Sequence, residues 1–163
     1  MPLDVVGMAD TQGAVVVPTR IILADDHVQF RTALRSLLDE QPGFTVLAEF
    51  GDGAALLEAF QSGHLRSLPD VIVMDVRMPH MSGIEAARLL AEMEPSPHIL
   101  ALSMHEEDQF VQAMIGAGAH GYVLKGDPLP DLLYAIEKVA AGGFYLSPAL
   151  TAGGPPGWGA GRP

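Results

Sequence analysis

The chain has 163 residues, 48% of them hydrophobic, no cysteine and a formal net charge of −11. That length admits one domain with tails, and the missing cysteines exclude disulfide and thiolate chemistry and make a cytoplasmic location the default. No apolar run is long enough to cross a bilayer and no secretory signal opens the chain, while nine scattered basic residues argue against nucleic-acid contact by this segment.

Residues 1–19 show no amphipathic period and read as a flexible leader. Arg20 opens the first clear element. Ile21 to Ala24 is a continuous apolar run, as expected of a parallel strand covered on both faces. It ends in Asp25, Asp26 and His27. A helix follows with Phe30, Ala33, Leu34, Leu37 and Leu38 at helical spacing, stopped by Pro42-Gly43. Residues 44–50 alternate only partly and predict an edge strand. Asp52 is placed to cap a helix with Leu56, Leu57 and Phe60 on its inner face, and Gly63 ends it.

The third strand, Val71 to Met74, runs into a single carboxylate, Asp75. Ser82 and Glu85 then match a capping box for a helix with Ile84, Ala87, Leu90 and Ala91 inward. The fourth strand is Ile99 to Leu102, tipped by Ser103, which with Glu106 also fits a capping box. Glu106, Glu107 and Asp108 suit a first helical turn, where the helix dipole favours acids. The fifth strand is Tyr122 to Leu124, tipped by Lys125. Asp127-Pro128 reads as an N-cap and proline at the first helical position of a helix with Leu132, Leu133, Ile136 and Val139 inward, and Gly142-Gly143 stops it. Residues 142–163, closing in AGGPPGWGAGRP, read as linker or disordered tail.

Strict alternation of strand and helix predicts an α/β fold, a doubly wound five-stranded parallel sheet in residues 20–141 with right-handed crossovers. Such sheets place ligands at the carboxyl ends of their strands, at the point where strand order reverses. Four strand tips carry functional groups there: Asp25 with Asp26, Asp75, Ser103 and Lys125. Three carboxylates on two tips repel one another unless a cation sits between them. Oxygen ligands with no cysteine point to a hard cation, and Mg²⁺ suits a few carboxylates completed by water. Lysine and a hydroxyl beside that cation would cradle phosphoryl oxygens. No Walker loop offers a nucleotide as phosphoryl source, which leaves a carboxylate as the nucleophile.

Four segments, ILADDH, VIVMDVRMPHMSG, ILALSMHEE and GYVLKGD, resemble the receiver domain of bacterial two-component response regulators, over residues 20 to about 141. ADDHVQFRTAL and GGFYLSPALT further resemble the NarL/FixJ (LuxR-type) subfamily, whose members usually continue into a DNA-binding helix-turn-helix. The resemblance implies a flavodoxin-like fold with strand order 2-1-3-4-5. It implies that Asp75 accepts a phosphoryl group from a sensor histidine kinase, and that Asp25, Asp26, Asp75 and the backbone carbonyl of Arg77 hold Mg²⁺. Lys125 would pair with Asp75 and then with the phosphoryl oxygens. Ser103 would move to the phosphoryl group, with Tyr122 following it as the switch aromatic. Arg77 and His105, two residues beyond Asp75 and Ser103, would tune phosphoryl lifetime. The protein would be no enzyme beyond its own phosphorylation and dephosphorylation, would dimerise on phosphorylation, and would regulate transcription through a helix-turn-helix that this chain lacks.

Two features depart from the pattern. Gly126 stands where many receivers have proline, and no helix-turn-helix follows Thr151. The sequence leaves open a truncated chain, a frameshifted product and a stand-alone receiver. It also leaves open a phosphate-independent interaction module and an aspartate-nucleophile phosphatase, although the latter usually carries a second Asp where Arg77 stands. The remaining histidines, His27, His64, His80, His98 and His120, lack metal-ligand spacing and are assigned no role.

Overall fold

Each of the five segments expected as strands joins one parallel sheet in the computed structural model, which describes residues 17–152. The elements are β1 (Thr19–Ala24), α1 (Val28–Asp39), β2 (Phe44–Phe50), α2 (Gly53–Ser62), β3 (Val71–Met74), α3 (Gly83–Leu90), β4 (Ile99–Ser103), α4 (Asp108–Gly116), β5 (Gly121–Leu124), α5 (Leu129–Ala140), β6 (Tyr145–Leu146) and α6 (Pro148–Ala152). The sheet order is β2-β1-β3-β4-β5-β6. This is the expected flavodoxin-like order with one strand added.

The continuous apolar runs have a direct physical cause: both faces of the inner strands are covered. Alternate residues Ile22, Ala24, Ile72, Met74, Ile99, Ala101 and Tyr122 pack with Leu56 and Leu57 of α2, Ala86, Ala87 and Leu90 of α3, and Val111 and Met114 of α4. Their neighbours Ile21, Leu23, Val71, Val73, Leu100, Leu102 and Val123 pack with Leu34 and Leu38 of α1 and with Leu132, Ala135, Ile136 and Val139 of α5. β2 lies at the edge, paired only with β1, as its partial alternation predicts. Two helix faces differ from the expected ones. Ala86 rather than Ala91 is buried on α3, and Ala33 and Leu37 of α1 stay exposed.

The caps explain where several helices stop and start. Asp52 accepts the Ala55 amide at 2.8 Å and Ser82 Oγ accepts the Glu85 amide at 3.1 Å. α5 closes with the Gly142 amide on the Val139 carbonyl (2.9 Å) and the Gly143 amide on the Lys138 carbonyl (2.8 Å), with Gly142 at φ +94°. That pairing is a Schellman closure, which favours glycine because the position is left-handed.

The expected tail beginning at 142 needs correcting over 145–152. Tyr145 and Leu146 pair with Gly121 and Tyr122 of β5, and Leu146 and Leu150 join the core. A Cβ on Gly121 would lie 2.6 Å from the Tyr145 carbonyl oxygen, so a side chain there would keep β6 off the sheet. Most of the expected leader and the last stretch of the expected tail lie outside the described residues.

Candidate functional site

The order of strands reverses between β1 and β3, and the residues just past their carboxyl ends are Asp25 and Asp75. The Asp75 amide donates to the Ala24 carbonyl at 2.9 Å, and the Asp25 amide donates to the Phe50 carbonyl at 3.0 Å, so both acids are fixed by the ladder itself. Asp75 is 4% exposed and Asp25 6%. The loop beyond Asp75 doubles back: the Gly83 amide donates to the Val76 carbonyl at 2.8 Å. A Cβ on Gly83 would stand 2.0 Å from the Asp75 carbonyl oxygen, so only glycine allows α3 to start against the acid it follows.

Lys125 reaches both acids from the tip of β5. Its Nζ lies 2.8 Å from Asp25 Oδ2 and 3.1 Å from Asp75 Oδ2, and its side chain is 4% exposed. The Lys125 amide also donates to the Ser103 carbonyl at 2.9 Å. Asp75 Oδ1 accepts the Val76 amide at 2.7 Å. Burial pushes the Asp75 carboxyl above its ordinary range, and the Asp25 charge adds to this. The Lys125 ammonium and the Val76 amide pull it back without cancelling the rise.

Asp26, His27, Asp75, Arg77, Met104 and His105 line an open cavity of about 230 Å³. Ligand atoms of Asp25, Asp26, His27 and Asp75 all lie within 4.8 Å of one another. Three carboxylates so close, two of them on the cavity wall, are compatible with a divalent cation completed by water. The chain therefore has an acidic pocket fit for metal.

The remaining expected residues divide. Ser103 is fully buried at the end of β4, and its Oγ accepts the His105 amide at 3.0 Å; it is not among the cavity walls. It does not cap α4, which starts at Asp108 with Glu107 at its N-cap position, because the hydroxyl is spent on the loop instead. Tyr122 is fully buried, and its hydroxyl donates to the His105 carbonyl at 2.6 Å. Burial raises its pKa to about 12, with Ser103 partly opposing. Arg77 and His105 both wall the cavity and both meet Phe110, the guanidinium 5.7 Å and the imidazole 4.7 Å from that ring's centre.

Some residues at the site carried no signal of their own in the sequence. His27 Nδ1 stands 3.0 Å from Lys125 Nζ. The Phe30 ring lies 4.6 Å from the same ammonium. Asp127 is a further correction: α5 takes Pro128 as its N-cap residue, with Pro130 in its first turn. The Asp127 carboxylate instead accepts the Ser147 hydroxyl, whose oxygen accepts the Leu124 amide at 3.0 Å. Gly126 is exposed, and a Cβ there would meet nothing within 4 Å.

The profile of the response regulator receiver domain matches residues 21–137. The chain belongs to the response regulator receiver domain family. DegU, a transcriptional regulatory protein of Brevibacillus brevis, is 36% identical over 81% of this chain and 54% of its own length. The nitrate/nitrite response regulator NarL of Escherichia coli K12 is 37% identical over 82% of this chain and 60% of its own. A LuxR-family two-component response regulator from Aurantimonas sp. SI85-9A1 superposes with a TM-score of 0.75 at 34% identity, covering 83% of this chain and 94% of that one. The receiver chain thus spans less than two thirds of the curated relatives' length. Response regulators are generally signalling proteins rather than enzymes. Among the described residues, no helix is long and apolar enough to cross a membrane.

Proposed function

We propose that this receiver takes a phosphoryl group on Asp75 from the phosphohistidine of a sensor histidine kinase, with Mg²⁺ held by Asp25, Asp26, Asp75 and the Arg77 carbonyl. The observation that carries the reading is the Lys125 ammonium between the buried carboxylates Asp25 and Asp75, 2.8 and 3.1 Å away. In the transfer, an Asp75 carboxylate oxygen bonds to phosphorus as the phosphorus–nitrogen bond breaks, and the electron pair leaves with the donor imidazole. A bound Mg²⁺ supplies positive charge for the phosphoryl oxygens. Lys125 supplies the second positive charge, already desolvated and aimed at Asp75. The raised proton affinity of Asp75 does not block its use as a nucleophile, since neutralising the neighbouring acids favours its ionised form.

The same geometry supports a switch. Ser103 holds the His105 amide and Tyr122 holds the His105 carbonyl, so drawing Ser103 toward a phosphoryl group would release one of two bonds that fix the β4–α4 loop. Arg77 and His105, which wall the cavity and both meet Phe110, would then set how readily water reaches the phosphoryl group. We assign the output to transcription on the name of the DegU relative, a transcriptional regulatory protein; a DNA-binding partner domain and a phosphorylation-linked homodimer belong to the same proposal.

The test is phosphoryl uptake from a phosphorylated histidine kinase or from acetyl phosphate, with Mg²⁺ and with EDTA. Uptake that needs Mg²⁺ and is lost in Asp75→Asn is the expected result. Uptake by Asp75→Asn at the unaltered rate refutes the assignment.

A further inference from the structure

His27 has no part in the roles assigned so far, yet its ring stands inside the acidic cluster. Its Nδ1 lies 3.2 Å from Asp25 Oδ1, 3.7 Å from Asp75 Oδ2 and 3.9 Å from Asp26 Oδ1. It also lies 3.0 Å from Lys125 Nζ. An ammonium has only protons to give. Nδ1 thus stands within hydrogen-bonding reach of an acceptor-only carboxylate and a donor-only ammonium, so its tautomer sets which of the two it serves, and its ligand atom lies within 4.8 Å of those of Asp25, Asp26 and Asp75. The backbone holds the ring there. The His27 amide donates to Asp25 Oδ1 at 2.9 Å, and the residue occupies the N-cap position of α1 with its side chain making no cap bond. The imidazole lines the cavity together with Asp26 and Asp75.

We propose that His27 Nδ1 is a nitrogen donor to the cation held by Asp25, Asp26 and Asp75, so that this site takes borderline divalent cations more tightly than carboxylates alone would. The inference rests on the proposed cation role of the three acids. Hard Mg²⁺ gains little from imidazole and is satisfied by carboxylate and water. Co²⁺, Ni²⁺ and Zn²⁺ gain much more, because imidazole suits them and their affinities stand higher in the divalent series. The local pieces agree. A histidine directly after an acid pair gives one nitrogen beside two oxygens from adjacent residues, and β3 brings the third carboxylate across. His27 is then a selectivity residue for the metal, separate from the phosphoryl chemistry of Asp75 and Lys125.

The experiment uses the full chain and Mn²⁺ as a spectroscopic probe, with Co²⁺ and Mg²⁺ titrated by calorimetry at one fixed pH. Electron spin-echo modulation of bound Mn²⁺ should show a directly coordinated ¹⁴N in the wild type. The coupling should vanish in His27→Ala and in His27→Gln while Mn²⁺ stays bound. Co²⁺ affinity should fall about tenfold or more in both variants, and Mg²⁺ affinity should stay within about twofold. Two variants of different size separate loss of the donor from loss of the side chain's bulk. No ¹⁴N coupling in the wild type, a coupling that persists in both variants, or equal losses for Co²⁺ and Mg²⁺ would overturn the assignment of His27 alone. A wild type that binds none of the three cations would overturn the metal reading of the acids as well.

Discussion

Lys125 Nζ stands nearer to Asp25 Oδ2 than to Asp75 Oδ2, at 2.8 against 3.1 Å. The lysine is therefore the shared counter-charge of two buried acids, and its loss strands both. Without divalent cations, Lys125→Ala should lose about 3 kcal/mol of stability at neutral pH, the cost of leaving buried charge uncompensated. Adding Mg²⁺ should restore part of the loss. Urea denaturation followed by far-ultraviolet circular dichroism, with EDTA and with Mg²⁺, measures both effects.

Asp75→Asn should do the opposite. Burial and Asp25 raise the folded-state pKa of Asp75 above its unfolded value, so the native state binds the proton more tightly. Stability then falls as pH rises from the unfolded value through the folded one, and the penalty is fully present above that window. The asparagine variant should gain about 1 kcal/mol at pH 7, a typical size for a single substitution. The gain should disappear in acid, where the wild-type carboxyl is also neutral. Denaturation midpoints at both ends of the range decide it, and an equal gain at both would contradict the electrostatic cause.

Tyr122→Phe removes one hydrogen bond and almost no volume. The His105 carbonyl loses its donor, at a cost of about 1 kcal/mol. The effect should be local: faster amide exchange in residues 104–107, with the β1 and β3 amides unchanged. Hydrogen exchange read by mass spectrometry or NMR resolves the two regions.

Two glycines flanking the site should respond differently to alanine. Gly83→Ala drives a Cβ into the Asp75 carbonyl oxygen and should cost about 3 kcal/mol or more, since the neighbour is backbone and cannot turn aside. Gly126→Ala meets nothing within 4 Å and should stay within about 0.5 kcal/mol. Parallel denaturation curves of the pair test whether close approach, rather than glycine content, is what the site requires.

The strands and their tips were legible because a strand covered on both faces must be apolar throughout, so its first charged residue is conspicuous. Asp25, Asp26, Asp75 and Lys125 announce themselves in that way, and the structure brings all four together. His27 gave no such signal: one histidine among six, with no ligand partner at helical or turn spacing, gains meaning only when β3 and β5 arrive beside it. Asp127 reads as a helix cap, and Ser103 fits a capping box as well as a phosphoryl contact, because hydroxyl and carboxylate side chains serve caps and loop contacts equally well; tertiary partners decide which. β6 is invisible locally because a strand of two residues, set among four between a glycine pair and a proline, carries no period. Its existence depends on Gly121 in another strand, and no local window contains that relationship.

Ser147 gives the small sixth strand a significance beyond packing. Its oxygen receives the Leu124 amide, its hydroxyl reaches Asp127, and its amide donates to the Tyr122 carbonyl at 3.0 Å. Between Leu124, which donates to Ser147, and Asp127, which accepts from it, lie Lys125 and Gly126. The polypeptide leaving the domain is thus moored to the very turn that carries the site's lysine and to the strand that carries its buried tyrosine. Ser147, the residue just before α6, is therefore held to the site's own turn by direct hydrogen bonds rather than through the helices on the two faces of the sheet.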